Sequence, residues 1–463
     1  MNWAATSPDD HAHHEPLHPQ APLRPPSQIM RLERMGSFFP TRLSFLRSLL
    51  RDLAAQGSVV GCIAWYLDTN GYGHAAYAVK LEGRDLTLIC YTSPLDDAER
   101  TDRVIAEAWD ACFVLFDGRP EKSDIDALRN EATRQEAGRY HDRVLVLSRA
   151  NKSVRLFEHV VENLAAGGQP DPKQVSQTGY LMRTTAVYGN GKFGLADRAT
   201  VTRHPGLAHP FRLEMLTVWL IREFTLDLVD HVARARGGDT AAELSATFRR
   251  QLGIGNSTGL GMAPFLIGHP ALINNWMLAR ETALARVRAI ASVRDDFDDR
   301  MAALCSRVTA HLDEWHVADV PEQMRIEKLR DEWAQFAKTI PQLLMEPQPF
   351  DRIVRESEQG SCDLQELVVS LVLELHGDLI DGLADCMDAD EAFVLDPAMT
   401  VSVLHGLLAE HYGWCNSIDV DDPNSSAMVW YVSEEKLEPR LGERRTGAND
   451  NCEMPHALSH FIA

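Results

Sequence analysis

The sequence predicts an α+β protein, predominantly helical, in which an N-terminal mixed sheet with helices is followed by a helical domain. Two observations carry this expectation. Short apolar runs rich in Val, Ile and aromatics, separated by turn residues, fill the region before residue 200, and apolar positions recur with helical period from about residue 210. Hairpin signals first and helix–strand alternation after them point to a mixed sheet covered by helices.

Residues 1–30 are rich in Pro, His, Asp and Ser and read as a disordered tail. Residues 31–200 read as an α/β N-terminal domain. Its first helix places Leu43, Leu46, Leu49, Leu50 and Leu53 on one face and stops at Gly57. Strands are expected over Ser58–Leu67, His74–Leu81, Leu86–Tyr91, Cys112–Phe116 and Val144–Leu147, with turns at Asn70-Gly71 and Glu82-Gly83. Gly179–Val187 alternates and reads as another strand. Residues 201–412 read as a helical domain. Pro210–Ala235 is apolar nearly all round, as a central buried helix would be, and helical patterns recur at 270–315, 321–345, 363–386 and 397–412. The remaining 413–463 form a polar C-terminal arm with one short strand at Met428–Val432.

The chain has 463 residues and a formal charge of -21, from 46 Lys+Arg against 67 Asp+Glu. That balance argues against a nucleic-acid binder and against docking on an anionic membrane. Apolar stretches are broken by charge, as at Glu374, so no segment reads as a membrane span. The eight cysteines show no CxxC spacing, which suits reduced thiols in a soluble cytoplasmic protein.

The first candidate site is the glycine-rich turn Gly253–Ala263. From Gly255 to Gly261 it has GxxxGxG spacing, but the residues before it, Leu244–Leu252, read as a charged helix rather than a buried strand. Read as a turn between helices, it offers Gly255, Asn256, Ser257, Thr258, Gly259 and Gly261 as backbone and hydroxyl donors to an anion. A helix cap made of the same residues needs no ligand. The second candidate is the turn after the 179–187 strand, where Arg183, Tyr188, Asn190 and Lys192 bring two cations and a phenol to one end of that element. His269 stands before Pro270 at a predicted helix start, where the helix dipole favours neutral imidazole, and is the candidate base.

Other motifs favour plainer readings. Ser148–Ser153 is expected to be a strand-to-helix turn with Asn151 or Ser153 as cap and Arg149 and Lys152 solvated. Asp295-Asp296-Phe297-Asp298-Asp299 matches the DDxxD magnesium-diphosphate spacing, yet it reads as the charged face of a helix. His311 and His316 flank Glu314 at the wrong spacing for a zinc protease, so no metal site is expected and the cofactor stays unassigned. Glu366, Glu374, Asp378, Asp381 and Asp385 read as an edge facing solvent or a second subunit of a homo-oligomer. Together these features suggest an enzyme that binds a small anionic metabolite at the glycine turns and acts by acid–base chemistry. The alternatives are an NAD(P)-dependent oxidoreductase and a non-catalytic scaffold or regulatory protein.

Overall fold

A computed structural model describes residues 23–25, 45–100, 108–132, 143–188, 205–208, 212–256, 270–293, 297–316, 320–376, 379, 398–411 and 416. It is α+β: a seven-stranded mixed sheet lies in the N-terminal part, and helices follow it. The first helix, α1 (Phe45–Ala55), buries Leu49 and Leu53 on the predicted face and ends just before Gly57. The strands are β1 (Gly61–Leu67), β2 (Gly73–Leu81), β3 (Arg84–Thr92), β4 (Ala111–Asp117), β5 (Val144–Lys152), β6 (Tyr180–Tyr188) and β7 (Gly253–Asn256). They follow one another across the sheet in sequence order. All pairs are antiparallel except β6–β7, which is parallel.

Local chemistry explains the hairpins. Glu82 and Gly83 join β2 to β3 with positive φ of 47° and 79°, the backbone of a two-residue turn whose twist matches the strands. The central strands are buried on both faces, which explains their near-continuous apolar runs. Leu88, Cys90, Phe113 and Leu115 face one core, while Ile89, Tyr91, Cys112 and Val114 face the other. On the second face lies α2 (Lys122–Glu131), through Leu128.

On the first face lie α3 (Phe157–Ala165) and a long helix that crosses the sheet. Between them come α4 (Pro172–Thr178) and the short α5 (Pro205–Ala208). The long helix, α6 (Arg212–Gly237), packs on β2, β3, β5, β6 and β7 through residues such as Leu216, Leu220, Phe224 and Leu228. After α7 (Ala246–Gln251) the chain returns to the sheet as β7. The residues that read as part of a turn between helices therefore begin as an edge strand.

The remaining helices are α8 (Pro270–Arg288), α9 (Phe297–Glu314), α10 (Val320–Phe336), α11 (Ile340–Leu344), α12 (Pro349–Ser357), α13 (Cys362–Glu374) and α14 (Val401–His411). Those from α8 to α13 share a second core around Trp333, Phe350, Leu367 and Leu371. Helix α8 serves both cores, giving Ala279 to the first and Ala283, Leu284 and Val287 to the second. From the C-terminal side, α14 adds Leu404 and Leu408 to the first core. No described helix is long and apolar enough to cross a membrane.

One expectation about charge is overturned here. Glu366 and Glu374, expected on a solvated edge, are only 0 % and 8 % exposed. Glu366 turns inward because Arg280 of α8 meets it at 2.7 Å, and an opposite charge makes burial tolerable. The companion acids Asp378, Asp381 and Asp385 lie outside the described residues. Within residues 1–30 only 23–25 are described, and there Arg24 is 6 % exposed and bonded to Glu281. A polar composition concealed this anchor, because one ion pair across the fold leaves no periodic trace.

Candidate functional site

Helix α6 carries a polar stripe on its otherwise buried surface. Glu223, Asp227, Asp230 and Arg234 fall at i, i+4, i+7 and i+11 and so share one side of the helix. Asp227, Asp230 and Arg234 line an open pocket of about 640 Å³ together with Trp65 of β1, Glu243 just before α7 and Arg249 on α7. That volume suits a small-molecule site.

The carboxylates are held from both sides. Tyr77, pointing out of β2, donates its hydroxyl to Asp227 Oδ2 at 2.6 Å. Arg249 lies 3.4 Å from Asp227 Oδ1 and also donates to Asp230. Asp230 in turn accepts from the Leu244 backbone N–H at 2.9 Å, which ties the start of the α7 segment to α6. Asp227 keeps 42 % of its side chain exposed, whereas Asp230 keeps 12 %. Asp227 is thus oriented by two partners and still faces the cavity.

Burial, reinforced by the neighbouring Asp227 charge, pushes the Tyr77 phenol far above its ordinary range. Tyr77 therefore remains a hydrogen-bond donor at all ordinary pH. Burial also raises the Glu223 carboxyl, against the opposing pull of Arg222 at 2.8 Å. His231 borders the same cavity but is occupied with structure. Trp65 Nε1 donates to its Nδ1 at 3.3 Å, and its Nε2 lies 2.7 Å from the Asp68 carbonyl, which can only accept. That pairing places an N–H on Nε2 and uses Nδ1 as the acceptor for Trp65. Among the described residues, no group of three His, Cys, Asp or Glu side chains could hold a metal ion.

Of the site residues expected from the sequence, Arg183, Tyr188, Gly255 and Asn256 are described, and they lie on the β6–β7 pair. Arg183 and Gly255 face each other across the β6–β7 pair. A Cβ on Gly255 would sit 3.0 Å from the Tyr180 ring and 3.1 Å from Arg183 Cγ. The missing side chain thus makes room for protein, and Arg183 is only 7 % exposed. Tyr188 and Asn256 end their strands. Asn190, Lys192, Ser257, Thr258, Gly259, Gly261 and the candidate base His269 lie outside the described residues. β6 and β7 run parallel, so Tyr188 and Asn256, their last residues, are at the C-terminal ends of strands that point the same way.

The strand that a dinucleotide site needs before its glycines exists only as the four-residue β7. One parallel pair at the edge of an antiparallel meander is not the doubly wound sheet that such a site uses. Of the DDxxD residues, Phe297, Asp298 and Asp299 lie in α9, and Asp295 and Asp296 lie outside the described residues.

The expected turn at Ser148–Ser153 is also corrected. Strand β5 runs on to Lys152 because Asn151 and Lys152 have partners inside. Asn151 Oδ1 accepts from the Asp110 N–H at 3.0 Å, and its Nδ2 donates to the Ala108 carbonyl at 3.0 Å. Lys152, expected in solvent, is 5 % exposed, with Nζ 5.1 Å from the centroids of both the Tyr72 and Phe157 rings. Burial holds its pKa below the lysine range, opposed by the Asp110 charge.

Sequence reasoning missed the cavity because Pro210–Ala235 was weighed by its apolar residues. The available signal was the charged stripe running through that apolar helix, a pattern that a fully buried helix would not carry. No protein-family model, curated protein or solved structure matches the chain.

Proposed function

We propose that this chain is an acid–base enzyme acting on a small molecule held in the cavity beside α6, with Asp227 as the proton acceptor. The observation that carries this reading is a cavity-facing carboxylate gripped by Tyr77 at 2.6 Å and by Arg249 at 3.4 Å. Tyr77 and Arg249 act as positioning residues. Glu223, one helical turn away with a pKa raised by burial, is the candidate acid, because burial favours its protonated, proton-donating form. Arg234, exposed at the pocket and paired with Glu243 at 2.8 Å, would exchange that partner for an anionic group of the substrate. Hydrolysis or elimination fits these residues: Asp227 takes a proton from water or from substrate carbon, and the acid protonates the leaving group.

The test uses p-nitrophenyl acetate and p-nitrophenyl phosphate as probe substrates, with sulfate as a probe anion. Turnover by the parent protein is expected to vanish in Asp227→Asn while the melting midpoint stays close to the parent's. Sulfate is expected to raise the parent's midpoint by linkage and to raise that of Arg234→Met less. If only Lys192→Met loses the sulfate response, the anion belongs at the glycine turn. Equal turnover by Asp227→Asn, or no turnover and no sulfate response in the parent, removes the proposal.

A further inference from the structure

We infer that Lys152 is a nucleophilic amine that condenses with a small neutral aldehyde or ketone, its Nζ held between the rings of Tyr72 and Phe157 without a hydrogen-bond partner. Lys152 does not line the pocket beside α6, and its role stands apart from that site. The backbone fixes where the side chain goes. Lys152 ends β5, and its N–H lies 3.2 Å from both carboxylate oxygens of Asp110. It shares a sheet face with Ala150, two residues earlier, and Ala150 belongs to the first core together with Phe157. The side chain is thereby directed toward Phe157 of α3 rather than into solvent, and the residue is 5 % exposed.

A lysine buried for structure alone normally ends on a carboxylate. Here the Asp110 carboxylate is taken by Arg100 Nε at 2.7 Å and by the Lys152 backbone. Among the described residues, Nζ makes no hydrogen bond or ion pair. It lies 5.1 Å from each ring centroid and is not sealed from solvent. An ammonium in that position is costly, which favours the neutral amine with its lone pair available for attack. Burial lowers the pKa of Lys152, helped by the Arg100 and Arg236 charges and opposed by Asp110 and Glu158. In the condensation the lone pair forms a C–N bond at the carbonyl carbon, and one amine proton passes to the carbonyl oxygen. With one further proton from solvent, that oxygen leaves as water and a protonated imine remains. The two ring faces favour the cation so formed. The cations whose charge reaches Lys152 are already committed, Arg100 to Asp110 and Arg236 to Glu158 at 2.6 Å. That favours a neutral carbonyl compound over an oxo acid.

The experiment is reductive trapping on the full-length protein at neutral pH, with propanal or glyoxylate as the probe and cyanoborohydride as the hydride donor. Hydride adds to the imine carbon and fixes one alkyl group on the amine, which peptide mass spectrometry locates. In short exposures to propanal, Lys152 is expected to be alkylated several-fold faster than Lys80 and Lys173, which are exposed. Glyoxylate should show a smaller preference for Lys152 over those two. Lys152→Met should lose that fast phase alone and melt no lower than the parent. Burial for structure alone would give the reverse order, because exposed amines meet the reagent first. Labelling of Lys152 no faster than of Lys80 and Lys173, or only in urea, overturns the inference, and a preference for glyoxylate overturns the neutral substrate class. If Lys152→Met does not fold, the order of labelling in the parent decides.

Discussion

Acidification should unfold this protein in part through His311. Its imidazole lies on α9 beside Trp315, with ring centroids 5.8 Å apart, and its neighbours Val308 and Leu312 belong to the second core. Burial lowers its pKa from 6.5 to about 4. A base whose folded pKa is depressed binds its proton first in the unfolded chain, so stability rises with pH between the two values. The contribution is fully present above about pH 6.5 and is lost as pH falls toward about 4, with no further change below. At about 1.4 kcal/mol per pH unit the loss reaches about 3 kcal/mol; this is an upper figure, because His311 is only partly shielded from water. Urea unfolding followed by tryptophan fluorescence at about pH 7 and about pH 4.5, on the parent and on His311→Leu, isolates the effect from the carboxylates that titrate nearby. The variant should lose less stability than the parent over that interval. Parallel losses in the two proteins would refute the reasoning.

Two further predictions follow from side chains that pack unusually. Lys152→Met should leave the protein at least as stable at neutral pH, because an apolar chain of similar length replaces an ammonium that is 5 % exposed. The depressed pKa of Lys152 means that the parent gains stability as pH climbs toward the ordinary lysine range; melting midpoints should show that rise in the parent and a smaller one in the variant. Gly255→Ala should cost about 1–3 kcal/mol by overpacking, since its new methyl would meet Tyr180 at 3.0 Å and Arg183 at 3.1 Å. An unchanged urea midpoint would show that those neighbours yield freely.

Much of the framework was legible in the sequence because it is encoded within short windows. The spacing of Leu49 and Leu53, the apolar runs of β3 and β4, the Glu82-Gly83 turn and the proline that opens α8 each express a local backbone preference. The strand β7 was less legible: four residues, half of them glycine, lack enough pattern to outweigh a turn reading, and pairing with β6 is what makes them a strand. Lys152 and Glu366 were misplaced for a related reason. Charge normally marks solvent, and only the tertiary fold brings Asp110 to one and Arg280 to the other. The candidate site depended wholly on that level. Tyr77 and Asp227 are 150 residues apart, and Trp65 and His231 are 166 apart. Periodicity reports which way a residue faces on its own element, but what it meets there depends on how the sheet and α6 pack together.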